Sequence, residues 1–134
     1  MRWKKGELLK LRVQADNPDA PLEYVGIEPA PTSNSMFRII QHGKKYYLIS
    51  NRKSNAQNEY SRNCLSLFET DDLKSYTLVK DIINMESKSP RKFGFQYPAF
   101  VKDGDTLYIT IRSAFNDANS FHNSNYILFY KTAL

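Results

Sequence analysis

Arg38-Ile39-Ile40-Gln41-His42-Gly43-Lys44-Lys45-Tyr46-Tyr47-Leu48 is a hairpin written in sequence. Two apolar-rich runs meet at Gln41-His42-Gly43-Lys44, where Gly43 suits the φ > 0 position of a tight turn. The pattern returns as Ala99-Phe100-Val101-Lys102-Asp103-Gly104-Asp105-Thr106-Leu107-Tyr108-Ile109, with Tyr108 placed 61 residues after Tyr47. A second pair of blocks keeps nearly the same spacing. Asn63-Cys64-Leu65-Ser66-Leu67-Phe68-Glu69 is echoed by Asn125-Tyr126-Ile127-Leu128-Phe129-Tyr130-Lys131, with Asn125 62 residues after Asn63. Two blocks at nearly one offset define a supersecondary unit used twice.

Working outward, helical periodicity is scarce and short runs bounded by Gly, Asn, Asp, Ser or Pro dominate. The alternation predicts strands over Glu7–Val13, Leu22–Ile27, Phe37–Gln41, Lys45–Ser50, Cys64–Glu69, Tyr76–Lys80, Pro98–Lys102, Thr106–Arg112 and Asn125–Lys131. Nine Tyr and eight Phe in 134 residues favour strands as well. Each unit is a hairpin, a longer loop and a further strand, and the first unit adds a fourth strand. Four antiparallel strands per repeat is the blade of a β-propeller, which closes with roughly 4–8 blades. The expectation is therefore an all-β chain of two to three blades in one partial propeller domain. Residues 1–30 hold the trailing strands of one blade, 31–90 a full blade and 91–134 a partial last blade, with the Pro-rich Glu28–Thr32 as connector. Such a fragment leaves sheet faces and edges unpaired. Its ring would be completed by upstream blades or by other copies. A β-sandwich of some nine strands is the architectural alternative, but it does not explain the repeat.

The bulk composition is that of an ordinary globular domain, and no run reaches the ~18–20 apolar residues of a membrane span. The net charge of +5 sits in the amino half, where Lys4, Lys5, Lys10 and Arg12 make a basic start. That start reads as a solvated face or as a dock for an acidic partner. No nucleic-acid motif accompanies it, so nucleic acid is not expected. The single cysteine, Cys64, excludes an intrachain disulfide and lies in an apolar run, as an inert buried thiol does. No metal-ligand spacing and no Gly-rich phosphate loop appear, so no cofactor is expected.

Several segments resemble the carboxy-terminal portion of the sialidase-like glycoside hydrolase superfamily of five- and six-bladed propellers. Gly94-Phe95-Gln96-Tyr97-Pro98 followed by Asp103–Phe115 resembles a late blade. His122-Asn123-Ser124-Asn125-Tyr126-Ile127-Leu128-Phe129 resembles the His-Asp-Ala-Asn-Tyr segment that often follows it. Lys44–Asn51 and Arg62–Leu67 resemble the blade before. Glu69-Thr70-Asp71-Asp72-Leu73-Lys74-Ser75-Tyr76 is similar to a decayed Asp-box, a turn that pins a hairpin through local side-chain bonds to backbone.

The resemblance implies action on, or binding of, carbohydrate. Sialidases use a Tyr nucleophile, which avoids meeting the substrate's carboxylate with another carboxylate. They also use arginines that grip that carboxylate in a bidentate fork. By resemblance Tyr97 falls where a nucleophile sits; the other reading is a packed Tyr at a tight Tyr-Pro entry to a strand. Arg62 and Arg112 are candidate clamps or inter-blade ion-pair partners. Asn51 and Arg52 end the strand equivalent to that of Arg112, so the three are expected around one rim, and Gln96 and Asn125 complete the substrate-binding candidates. His122 is a candidate acid/base or a loop-stitching residue. The family often has Asp after this His; Asn123 stands there, which weakens the acid/base role. Of the remaining carboxylates, Glu59, Asp81, Glu86 and Asp117, none has a supporting motif. A non-catalytic glycan-binding propeller and a structural interaction module are the alternatives to a hydrolase. The family's setting in bacterial carbohydrate utilisation implies a secreted or periplasmic parent, although Met1–Gly6 carries no targeting signal.

Overall fold

The computed structural model describes residues 7–12, 16–17, 19–33, 35–53 and 61–134. Lys4, Lys5, Val13 and Glu59 lie outside the described residues, as do Met1–Gly6. Within them the chain is all-β, with no helix, and every sheet is antiparallel. Nine strands run in chain order: β1 (Glu7–Arg12), β2 (Glu23–Pro29), β3 (Arg38–His42), β4 (Lys45–Asn51), β5 (Cys64–Thr70), β6 (Thr77–Asn84), β7 (Gly94–Asp103), β8 (Thr106–Ala114) and β9 (Tyr126–Ala133). They form a pair, β1-β2, a four-stranded meander, β3-β4-β5-β6, and a three-stranded meander, β7-β8-β9. The two hairpin turns quoted at the outset join β3 to β4 and β7 to β8, with Gly43 at φ 61° and Gly104 at φ 55°. His42 Nε2 reaches Asp105 Oδ1 at 3.0 Å, so the repeat-equivalent turns also touch one another.

Two strands, β6 and β7, outrun the expected ranges by the most. β6 continues through Asp81–Asn84, and β7 begins at Gly94, four residues before Pro98. The extension of β7 is possible because of a β-bulge. Gln96 pairs with Arg112 and Ala99 with Thr110, so Tyr97 and Pro98 together oppose Ile111. Pro98 has no N–H to give a ladder, and in the bulge none is required. The extra residue also resets the side-chain parity. Phe95 and Phe100 are five residues apart and would face opposite ways in a regular strand, yet both pack on the core.

That core lies between the two larger sheets. One face of the four-stranded sheet supplies Ile49, Leu65, Leu67 and Ile82. The facing side of the three-stranded sheet supplies Phe95, Leu107, Ile109 and Ile111. β7 is the strand of the second sheet that lies against β4 and β5. Cys64 is fully buried, and desolvation pushes its thiol up from its ordinary value, which disfavours the reactive thiolate.

The turn between β5 and β6 is held as its sequence leads one to expect. Thr70 Oγ1 accepts the Leu73 N–H at 2.9 Å, and Asp72 Oδ1 accepts the N–H groups of Lys74 and Ser75, each at 2.8 Å. Leu73 sits at φ 58°, a left-handed conformation that these bonds support. The bonds to the Ser75 and Lys74 amides stabilise the carboxylate and bring Asp72 down to about 2. A folded value below the ordinary 3.8 means that ionised Asp72 contributes fully above about pH 4, and that the contribution fades as pH falls towards 2. Thermal unfolding of the native chain and of Asp72→Ala should therefore differ at pH 5 and converge towards pH 2. A constant gap across that range would show that the carboxylate's charge is not what holds the turn.

Candidate functional site

At one end of the seam between the two larger sheets, side chains from both converge. From the first sheet comes Arg62, in the segment leading into β5. Asn51, at the end of β4, fixes that segment. It is fully buried, and its Nδ2 points at the carbonyls of Arg62, Cys64 and Phe95 at 3.2, 3.0 and 2.7 Å. The Phe95 N–H in turn donates to the Arg62 carbonyl at 2.8 Å. The seam is thus stitched by backbone and amide bonds, and the Arg62 side chain leaves it towards β7.

There Arg62 meets the bulge. Its Nη1 donates to Gln96 Oε1 and lies 3.3 Å from the Tyr97 hydroxyl, and its guanidinium carbon is 5.6 Å from the Tyr97 ring centroid. Arg112, on β8, approaches the same ring at 5.5 Å. Two guanidinium groups therefore flank one tyrosine at cation–π distance. Tyr97 itself sits at φ 52°, in the left-handed region, where a residue with a Cβ pays roughly 1–2 kcal/mol. Strained backbone at a bulge re-aims a side chain, and here it turns Tyr97 out of the ladder towards the two arginines.

The loop between β8 and β9 closes the arrangement. Gln96 is fully buried and donates through Nε2 to the Phe121 carbonyl, while the Arg62 guanidinium lies 5.6 Å from the Phe121 ring. Arg112 Nη2 donates to the His122 carbonyl at 2.8 Å. Gly94 makes this close approach possible, since a Cβ there would come within 2.7 Å of the Phe121 carbonyl oxygen. Asn125 reproduces a backbone pairing with Phe115, accepting its N–H at 3.3 Å and donating to its carbonyl at 3.0 Å.

Of the residues singled out from sequence, Arg62, Gln96, Tyr97, Arg112 and His122 come together. His122 takes part through its carbonyl; its imidazole is exposed and makes no hydrogen bond among the described residues. Gln96 and Asn51 are sealed in and act by positioning Arg62 and the loop. Asn125 braces the same loop from outside. Arg52 does not share the rim. It follows Asn51, and successive residues along a strand turn to opposite faces. It pairs with Asp81, Nε to Oδ1 at 2.8 Å and Nη2 to Oδ2 at 2.9 Å, and reaches Glu86 at 3.1 Å. That pairing also accounts for Asp81 and Glu86, two carboxylates that had no motif. Arg52 holds Asp81 below the ordinary carboxylate range, assisted by Ser66 and Asn84. Phe121 and Gly94 belong to the site although only the aromatic character of the first was apparent in sequence.

The net result is a partly exposed concentration of positive charge next to an aromatic face. Arg112 makes no ion pair among the described residues and spends one of its N–H donors on His122. Among the described residues no helix is long and apolar enough to cross a membrane. No family model, curated protein or solved structure matches the chain.

Proposed function

We propose that this chain supplies blades of a sialidase-like propeller, and that the Arg62–Tyr97–Arg112 rim binds acidic carbohydrate. The blade reading is supported by meanders that follow chain order without crossovers, whereas a sandwich favours Greek-key connections. The sheets fall within residues 1–30, 31–90 and 91–134, and the Thr70–Tyr76 turn has the local bonding of an Asp-box relative. The observation that carries the ligand reading is the pair of guanidinium groups around Tyr97. A sugar carboxylate offers the planar acceptor that an arginine fork fits.

The test is calorimetric titration with sialyl-lactose and with lactose. Sialyl-lactose should bind at least about tenfold more tightly than lactose. Arg112→Ala should weaken it by about 10- to 100-fold, the value of one or two charge-assisted hydrogen bonds, while leaving the unfolding midpoint close to that of the native chain. Equal binding of the two sugars, or indifference to Arg112→Ala, would sink the reading.

Hydrolysis is the second reading, and the strained backbone of Tyr97 favours it. A tyrosine nucleophile needs a carboxylate base, and the hydrogen bond of the Tyr97 hydroxyl among the described residues is with Arg62. The missing base would come from elsewhere in a completed ring. Release of phenol from an aryl sialoside, abolished by Tyr97→Phe without loss of sialyl-lactose binding, separates the hydrolase from a binding propeller.

A further inference from the structure

The two larger sheets show how one repeat unit packs on the next, and the repeat then says which surface is left waiting. In the first unit, Ile40, Tyr47, Ile49, Leu65 and Leu67 share the face that packs on the second sheet. Their equivalents at the repeat offset are Val101, Tyr108, Thr110, Ile127 and Phe129, which share the opposite side of the second sheet from its own core residues. Leu65 and Leu67 are 0% exposed, whereas Ile127 is 61% and Phe129 82% exposed, and Val101 stands at 68%. Val101, Tyr108 and Phe129 line a shallow apolar groove on this face. The second sheet thus carries the same packing face as the first, with nothing among the described residues upon it.

Among the described residues, the first sheet of the chain is also open. On the β1-β2 sheet, Leu11 and Tyr24 are paired across the strands and each is about half exposed, with Leu22 and Val25 beside them in sequence and equally open. Among its described residues the chain therefore presents open apolar side chains on its first sheet and on its last. Apolar sheet faces of this size mark interaction surfaces. Faces that differ from one another join head to tail, and such contacts close into a ring when the rotation allows.

We infer that the Val101–Tyr108–Ile127–Phe129 face docks the β1-β2 sheet of a second copy of this chain, continuing between copies the stacking seen within one. With three sheets among the described residues of each copy, a ring of roughly 4–8 sheets closes with two copies. The inference rests on sheet packing and the repeat, and stands apart from the carbohydrate reading.

Light scattering on the purified chain should give a dimer that dissociates on dilution. Phe129→Asp and Tyr24→Asp should each be monomeric, with unfolding midpoints near that of the dissociated native chain, because Phe129 is largely exposed and Tyr24 about half. Mixed in equal amounts, these two variants should form a 1:1 heterodimer and nothing larger, since each keeps one good end. A native chain that stays monomeric at every concentration overturns the inference, and so does a Phe129→Asp chain that associates as before. A Tyr24→Asp or Phe129→Asp chain that still dimerises by itself overturns it too, because that pattern means like faces pair with like.

Discussion

Replacing Asp81 by alanine is expected to destabilise the chain by about 2–4 kcal/mol, read as the shift in urea unfolding at neutral pH. The carboxylate accepts four hydrogen bonds: two from Arg52, one from Ser66 Oγ at 2.7 Å and one from Asn84 Nδ2 at 2.9 Å. Arg52 and Asp81 are 19% and 18% exposed, so the charge left behind has little water to turn to. Breaking a buried pair costs about 3–5 kcal/mol because the survivor is uncompensated. The lower end applies here because Arg52 keeps its bond to Glu86, which is closer to solvent. Ser66 adds to the loss, since its buried hydroxyl would lose its acceptor.

The same reasoning fixes a control. If the cost comes from the stranded guanidinium, the Arg52→Leu, Asp81→Leu double variant should be less destabilised than Asp81→Ala, because no charge remains to be solvated. A double variant that loses the sum of the two single costs would mean that the residues act independently, and that the cluster is not the clasp between the end of β4 and the β5-β6 ladder.

Asp81 also illustrates what a sequence can and cannot yield. As a carboxylate outside any motif it was indistinguishable from a catalytic acid. Its partner, Arg52, is 29 residues away and was expected on the rim with Asn51 and Arg112. The nine strands were legible, because alternation and turn glycines are local signals. The start of β7 was not, because Gly94 and Pro98 read as breakers; only the paired strand reveals that a bulge absorbs Tyr97 and Pro98 and leaves the ladder intact on both sides. For the candidate site, residue type pointed to Arg62 and Arg112, and the resemblance to Tyr97. They could not indicate that Gln96 and Asn51 would be sealed inside as the braces of Arg62. That distinction depends on which amide groups find backbone partners, and those partners come from distant segments.

The repeat supplies the second large expectation. Leu67→Ala should cost about 2–5 kcal/mol, the range for truncating a buried leucine in a core that cannot collapse around the cavity. Leu67 is wholly enclosed between Ile49 of its own sheet and the β7-β8 side of the next. Its repeat equivalent, Phe129, is the larger side chain, yet Phe129→Ala should change the intrinsic stability of the dissociated chain by no more than about 0.5 kcal/mol, as for an exposed position. In the associated state the balance shifts. There Phe129→Ala should lower the unfolding midpoint at high protein concentration and flatten its dependence on concentration, because the residue then acts through mass action between copies. Denaturation curves for both variants over a hundredfold range of concentration decide the matter. If Phe129→Ala costs several kcal/mol even in the most dilute sample, its side chain is already buried within one chain, and the two units do not present the unequal faces on which the assembly depends.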